Sequence, residues 1–316
     1  MKPQAGIALL TAIILVALAT IVATSIAFDS SLDARRAAGN LTMTQALYVA
    51  EGAEAMAAYA LREDQKTNRQ DSLNEAWAQP FGPVEIDTGV VLEASLEDMH
   101  ARFNINNLVD GNGVADPIAR QQFERLLTFL GLETRWAQRL IDWIDRDNQP
   151  TLPDGAEDSA YLAQKPPYRT PNMPVSSVSE LLALPGFGRE NYLKLLPYVA
   201  ALPPGTPVNT CTASGVVLDA MGPGKQEFSL NEEGLTEKRK SGCFPTLPEY
   251  QASMTPEQWN LLMKTSTGGN RVGDSSFYFR LRSYITIGTT RLTLYSLIHR
   301  DEGGQIRPIL RTFGTD

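Results

Sequence analysis

The 316-residue sequence predicts an α+β fold, a long N-terminal helix packed on an antiparallel sheet with a large all-α domain inserted into that sheet. Three observations carry the prediction. An apolar run at the amino end passes without a break into a helical pattern, strand-like alternation occurs in two stretches far apart in the chain, and helical periodicity fills the residues between them.

From Ile7 to Phe28 no residue is ionisable, and this run of 22 residues is long enough to cross about 30 Å of hydrocarbon as a helix. The positive charges ahead of it are the terminal amine and Lys2, whereas Asp29 and Asp33 follow it. That asymmetry predicts residues 1–6 in the cytoplasm and the bulk of the chain in the periplasm. A cleavable secretory signal shares the charged start, but its apolar core is only about 7–15 residues long and ends at small residues. Here Leu32, Leu41, Leu47, Met56 and Tyr59 recur among alanines beyond Phe28, so one helix is predicted from Ile7 to about Leu61, with Gly39 and Gly52 as candidate bends.

Pro80-Phe81-Gly82-Pro83 breaks the chain, and Val84 to Phe103 then alternates through Val84, Ile86, Val90, Leu92 and Leu96, predicting one or two strands. At Asp116-Pro117 an N-cap acid precedes a proline at the first helical position. The apolar face Phe123, Leu126, Leu127, Leu130 follows, and Gly131 stops it. Further helices are predicted over Glu133–Ile144, Val178–Leu184 and Arg189–Val199. Trp136 and Trp143, seven residues apart on one helical face, read as core. Late in the chain, Phe277–Ile287 and Thr289–His299 form a hairpin in outline around Gly288, and Gln305–Phe313 reads as an edge strand.

The formal charge of −8 and a pI near 5.0 disfavour broad contact with nucleic-acid phosphates or anionic lipid, since both would be repelled. Cys211 and Cys243 lie in one stretch rich in Gly, Pro, Ser and Thr, the setting of a loop-closing disulfide in an oxidising compartment. Two free thiols are the other reading. His100 and His299 are the two histidines, and neither stands near a nucleophile motif, so no catalytic residue is assigned.

The start Ala5-Gly6-Ile7-Ala8-Leu9-Leu10-Thr11 resembles the class III leader of type IV pilins and pseudopilins. The resemblance implies cleavage by a prepilin peptidase between Gly6 and Ile7 and methylation of the new amine on Ile7. Most of that family carries a glutamate as the fifth mature residue, held to neutralise the amine of a neighbouring subunit, because an unpaired charge in hydrocarbon costs several kcal/mol. Here the position is Thr11. The missing acid and the helical insertion are both similar to the K-type minor pseudopilins of type II secretion systems. That resemblance implies a non-enzymatic fibre-tip subunit, anchored once in the bacterial inner membrane, that initiates or caps the fibre. Its implied partners are the I- and J-type minor pseudopilins, with the H-type and major pseudopilins beyond them.

The domains expected on this reading are a leader over 1–6, a membrane segment over 7–28, and the rest of the stalk with the first head strands over 29–104. A helical insertion over 105–203 and the remainder of the pilin-like head over 204–316, with the disulfide loop, complete the chain. Calcium is the expected cofactor, since it favours six to eight oxygen ligands in flexible loops. The acidic stretch supplies Asp145, Asp147, Asp154, Glu157 and Asp158 as candidate ligands, in a spacing that is not that of an EF-hand. Asp219, Glu227, Glu232 and Glu233 of the disulfide loop form a rival set. Leu184-Pro185-Gly186-Phe187-Gly188 looks like the hairpin of helix-hairpin-helix modules, which keeps a membrane-anchored DNA-uptake protein as the alternative function. Around it Arg189 and Lys194 are offset by Glu180 and Glu190, far from a basic surface.

Overall fold

The computed structural model describes residues 5–222, 224–263, 269–301 and 303–314. Residues 1–4, and with them Lys2 and most of the expected leader, lie outside the described residues. Helix α1 runs unbroken from Ala5 to Thr67, six residues beyond its expected end. Its apolar first half is exposed on every side, as a lipid-facing segment is.

Farther along, α1 turns a stripe of small side chains to the sheet: Ala46, Ala50, Ala53 and Ala57, closed by Leu61, are all buried. Alanine at this spacing lets the helix lie close to the strands without side-chain entropy loss. The five-stranded antiparallel sheet has the order β1 (Phe81–Asp87), β2 (Val90–Asp98), β7 (Tyr278–Ile287), β8 (Thr290–Arg300), β9 (Ile306–Phe313). The intervening β3 (Phe103–Asn104) with β4 (Val199–Ala200), and β5 (Val208–Asn209) with β6 (Val272–Gly273), are short parallel pairs. In β8 the residues Leu292, Leu294, Ser296, Ile298 and Arg300 are buried in alternation. Gly288, at φ +57°, is the first residue of the two-residue turn that joins β7 to β8, where a Cβ would be strained.

The predicted strands all form within a residue or a few of their expected bounds, and β1 and β2 resolve the Val84–Phe103 region into two. The helical part differs from expectation at its far border. After α2 (Pro117–Phe129), α3 (Arg135–Ile144), α4 (Asp158–Leu162) and α5 (Gly188–Leu195), the stretch expected to rejoin the sheet adds α6 (Gly215–Met221), α7 (Glu232–Arg239), α8 (Leu247–Ala252) and α9 (Pro256–Leu262). One apolar cluster joins all of these, from Phe103 and Phe123 through Trp136 and Leu195 to Leu218, Tyr250 and Val272. By packing, the helical body therefore extends from about Phe103 to Val272 rather than over 105–203, and of residues 204–316 only the last strands belong to the head. The later helices escape periodicity because each is eight residues or shorter and gains its stability from joining the shared apolar cluster and from caps. Two of those caps are capping boxes, Thr246 with Glu249 and Thr255 with Gln258.

Asp116 caps α2 as expected, accepting from the amides of Ile118 and Ala119, and its second oxygen pairs with buried Arg271 at 2.7 Å. The Cys211–Cys243 disulfide is formed and ties the turn after β5 to the loop after α7. Where the helical body meets the head, polar groups are buried together. Asn209 Nδ2 donates to Asp98 Oδ2 at 3.1 Å, to Ser276 Oγ at 2.9 Å and to the Asp71 carbonyl at 3.0 Å. Thr212 also donates to Asp98, at 2.6 Å. Arg300 completes the seam with bonds of 2.6 and 2.5 Å to Asp71 and one of 2.7 Å to the Ser276 carbonyl.

Two outcomes follow. Replacing Arg300 with Ala strands the Asp71 carboxylate in the interior and is expected to cost about 3–5 kcal/mol in denaturant unfolding, with the pair Asp71→Leu/Arg300→Met recovering most of that loss. Removing the crosslink with Cys211→Ser/Cys243→Ser frees a loop with a sequence separation of 32 and is expected to lower stability by about 3–4 kcal/mol. A loss under about 1 kcal/mol in either experiment would show that the seam or the crosslink is incidental.

Candidate functional site

The acidic stretch follows α3, whose last turn buries Asp142 and whose C-cap is Asp145. Asp142 does not point to a ligand. Both of its oxygens accept the amide of Thr151, at 3.1 and 3.0 Å, and so fold the loop back on the helix. A Cβ at Gly155 would fall on Asp142 Oδ2 and the Thr151 backbone, which explains a glycine at that point of the loop.

Of the five candidate ligands, three converge. Oxygens of Asp145, Asp147 and Glu157 lie within 4.8 Å of one another, the first and last buried and the middle one exposed. Buried Asp145 Oδ1 and Glu157 Oε1 have no hydrogen-bond partner in the protein. Asn172 reaches the same loop, donating to the Asp147 carbonyl at 2.8 Å and to Asn148 at 3.0 Å, while its own Oδ1 is buried without a partner. The other two candidates stand apart. Asp158 is held by Arg169 at 3.0 Å and by the amide and hydroxyl of Thr170. Asp154 joins the loop only through its backbone, donating to Gln138 and accepting from Arg139, and it is not among the converging oxygens.

The electrostatics match this geometry. Burial, then the neighbouring Asp147 and Asp142, push the Asp145 carboxyl up to about 7. Glu157 is also raised to about 7, by burial and by Asp142 and Asp145. A group of hard oxygens with unpartnered lone pairs and mutually raised affinity for protons is chemically suited to a hard divalent cation, with water and backbone carbonyls completing the coordination.

In the rival set of the disulfide loop, Asp219 is otherwise engaged. Asp219 accepts from the amides of Glu227, Phe228 and Ser229 and from the Ser229 hydroxyl, which closes the turn after α6. A further carboxylate group, Asp64, Asp71 and Glu75, was not singled out by the sequence because its members lie on the stalk end and the connector after it. It already contains a cation, since Arg300 pairs with both Asp64 and Asp71.

Gly6 and Ile7 lie in the first turns of α1, with Ile7 exposed. Thr11 donates its hydroxyl to the carbonyls of Ile7 and Ala8 at 3.1 and 3.0 Å, which satisfies it within its own helix and leaves no charge at that depth. The Pro185–Gly188 hairpin is built for packing. Phe187 is buried edge-on against Trp136 at 5.1 Å, and Arg139 donates to the Pro185 carbonyl. Lys194 is paired with Glu190, so the hairpin offers little positive charge to a phosphate. His100 is buried, its Nε2 accepts the Phe277 amide, and desolvation lowers its pKa to about 3, so it stays neutral and structural.

The comparisons with known proteins agree with this architecture. The family described as "Type II secretion system (T2SS), protein K" matches residues 101–204, the first part of the helical body. The type II secretion system protein K of Pseudomonas aeruginosa is 35% identical over 99% of this chain and 94% of its own length. The protein of the same description from Aeromonas hydrophila is 29% identical over 99% and 98%. A chain in the crystal structure of the GspK-GspI-GspJ complex of the enterotoxigenic Escherichia coli type 2 secretion system superposes with a TM-score of 0.73 at 26% identity, covering 89% of this chain and all of that one. Nothing in this likeness favours the DNA-uptake alternative. A pilin-like stalk and sheet, a large helical body and full-length identity converge on one assignment: the chain belongs to the type II secretion system protein K family, the K-type minor pseudopilins.

Proposed function

We propose that this chain is the tip subunit of the secretion fibre, joined to the I- and J-type minor pseudopilins and serving to initiate and cap assembly. The observation that carries the proposal is the helical body from Phe103 to Val272, which seats a second apolar core on a single-stalk pilin-like head. Such a head is wider than the stalk that would have to pass beneath a further subunit. The H-type and major pseudopilins would then follow below. Thr11 supports the same position, because a subunit with no neighbour above has no incoming amine to neutralise.

In this reading a prepilin peptidase cuts between Gly6 and Ile7, the apolar half of α1 stays in the inner membrane, and the head stands in the periplasm, where the Cys211–Cys243 bond is stable. The role is structural rather than catalytic. A cleft of about 840 Å³ between β2 and α7 is lined by residues such as Glu97, Arg102, Thr212 and Arg239. Calcium, held by Asp145, Asp147 and Glu157, stiffens the loop on the helical body.

Processing is tested by the mass of the native protein, which should correspond to a chain starting at Ile7 with one added methyl group. A start well downstream of Phe28 would release the head from the bilayer and end the fibre-subunit reading. Raising the dose of this chain over the other pseudopilins should shorten the fibres, and unchanged fibre lengths would remove the capping role. Calcium in hundredfold excess over its Kd should stabilise the full-length protein by about 2.7 kcal/mol in thermal unfolding, an effect lost in Asp145→Asn/Glu157→Gln.

The metal-free protein has its own signature. Both carboxyls are raised in the folded chain, so between about pH 4 and pH 7 the native state holds protons that the unfolded state has released. Stability should accordingly fall as pH rises through that window, and the fall should be shallower in Asp145→Asn. Equal slopes in the two proteins would show that folding does not raise the proton affinity of Asp145.

A further inference from the structure

Where the stalk helix ends, three carboxylates meet one guanidinium. Oxygens of Asp64, in the last turn of α1, and of Asp71 and Glu75, in the connector after it, lie within 4.8 Å of one another. Arg300 reaches in from the end of β8 and pairs with Asp64 and Asp71. The donors are divided unevenly. Asp71 accepts two bonds from Arg300 Nη2 and one from the Ser276 amide. Glu75 accepts from the Ser72 amide, the Asn68 side chain and the indole of Trp77. Among the described residues, the Asp64 carboxyl has a single donor, Arg300 Nη1 at 3.3 Å, although its side chain is only 11% exposed. Three full negative charges at this spacing around one guanidinium leave an excess that a nearly buried group is poorly solvated to carry.

We propose that Asp64 closes this junction as the neutral acid and loosens it as the carboxylate, so that a proton latches the end of the stalk helix to the sheet. The charged groups on every side favour the neutral form. From the connector, Glu75 and Asp71 repel an Asp64 anion, and from β8 Arg300 attracts it. Beyond Asp71 stands a further acid, Asp98 at the end of β2, while His100 behind it is neutral. On α1 itself Glu63 and Lys66 pair with each other, and Asp274, before β7, accepts the side-chain amide of Gln70. Arg69 is exposed on the wall of a cleft of about 390 Å³ that also takes in Gln65, Ser275, Phe277 and Arg300, and this cleft brings water to the Arg300 side of the junction. Burial first, then Glu75 and Asp71, push the Asp64 carboxyl up to about 7 against the pull of Arg300. Between about pH 4 and pH 7 the closed junction therefore holds a proton that an opened one has released, and closure weakens as pH rises through that window.

The test is amide hydrogen exchange of the full-length chain in detergent micelles between about pH 5 and pH 8, corrected for the intrinsic exchange rate at each pH. Protection of residues 62–75 in the wild type should fall several-fold per pH unit up to about pH 7, with about tenfold the limit for one proton, and then level off. Asp64→Asn, whose amide keeps the shape of the neutral acid, should lose most of that fall and melt no lower than the wild type at the alkaline end. No fall in the wild type, or a fall of equal size in both proteins, shows that Asp64 does not hold the proton and overturns the proposal. An Asp64→Asn chain that fails to fold, or that melts lower at the alkaline end, overturns it as well, because the junction would then depend on the charge.

Discussion

The whole molecule turns on the buried guanidinium of Arg300. It lies on the last residue of β8, bonded to Asp71 from the connector after the stalk and to the backbone before β7. A charge in that position is tolerated only while its carboxylate partner and its remaining donors are satisfied, so the surrounding elements have one arrangement that avoids a penalty of several kcal/mol. Asp98 is raised above the usual carboxylate range by complete burial and is met by Thr212, Ser276 and Asn209. Because Asn209 and Thr212 belong to the helical body and Asp98 and Ser276 to the head, the directional bonds of this seam set how the body sits on the sheet. Apolar contact alone would fix the distance between the two units but not their orientation.

That orientation matters because the chain has a single mechanical axis. α1 is dissolved in lipid at one end and packed under the sheet at the other, with no break between. Any force on the head is therefore delivered to the membrane segment through one helix, and any movement of the helical body is delivered to the head through the Arg300 seam. Two separate apolar cores joined by a satisfied polar network make a stiff assembly, which suits the tip position proposed for it.

The candidate cation loop obeys the opposite logic. Its buried oxygens are unsatisfied, and the raised affinity of Asp145 and Glu157 for protons is the sign of a group short of positive charge. The seam carries its cation in the sequence, as Arg300, whereas the loop on the helical body has no such residue among its converging ligands. This difference separates a structural polar network from the loop proposed above to take a cation.

By itself the sequence determined whatever depends on neighbours along the chain. The uncharged run from Ile7, the Asp116-Pro117 helix start and the turn at Gly288 are local, and local rules of solvation, capping and backbone sterics read them correctly. Trp136 and Trp143 could be placed in the core for the same reason. Only the tertiary structure decided where the helical body ends, because α6 to α9 are too short to be stable alone and exist by packing into the shared apolar cluster. It also decided which acids converge: Asp154 and Asp158 are as acidic as Glu157 in sequence, yet one meets the loop through its backbone and the other is consumed by Arg169 and Thr170. Pairings such as Arg300 with Asp71, or Arg271 with Asp116, span well over a hundred residues, and no periodicity connects partners that only the folded chain brings together.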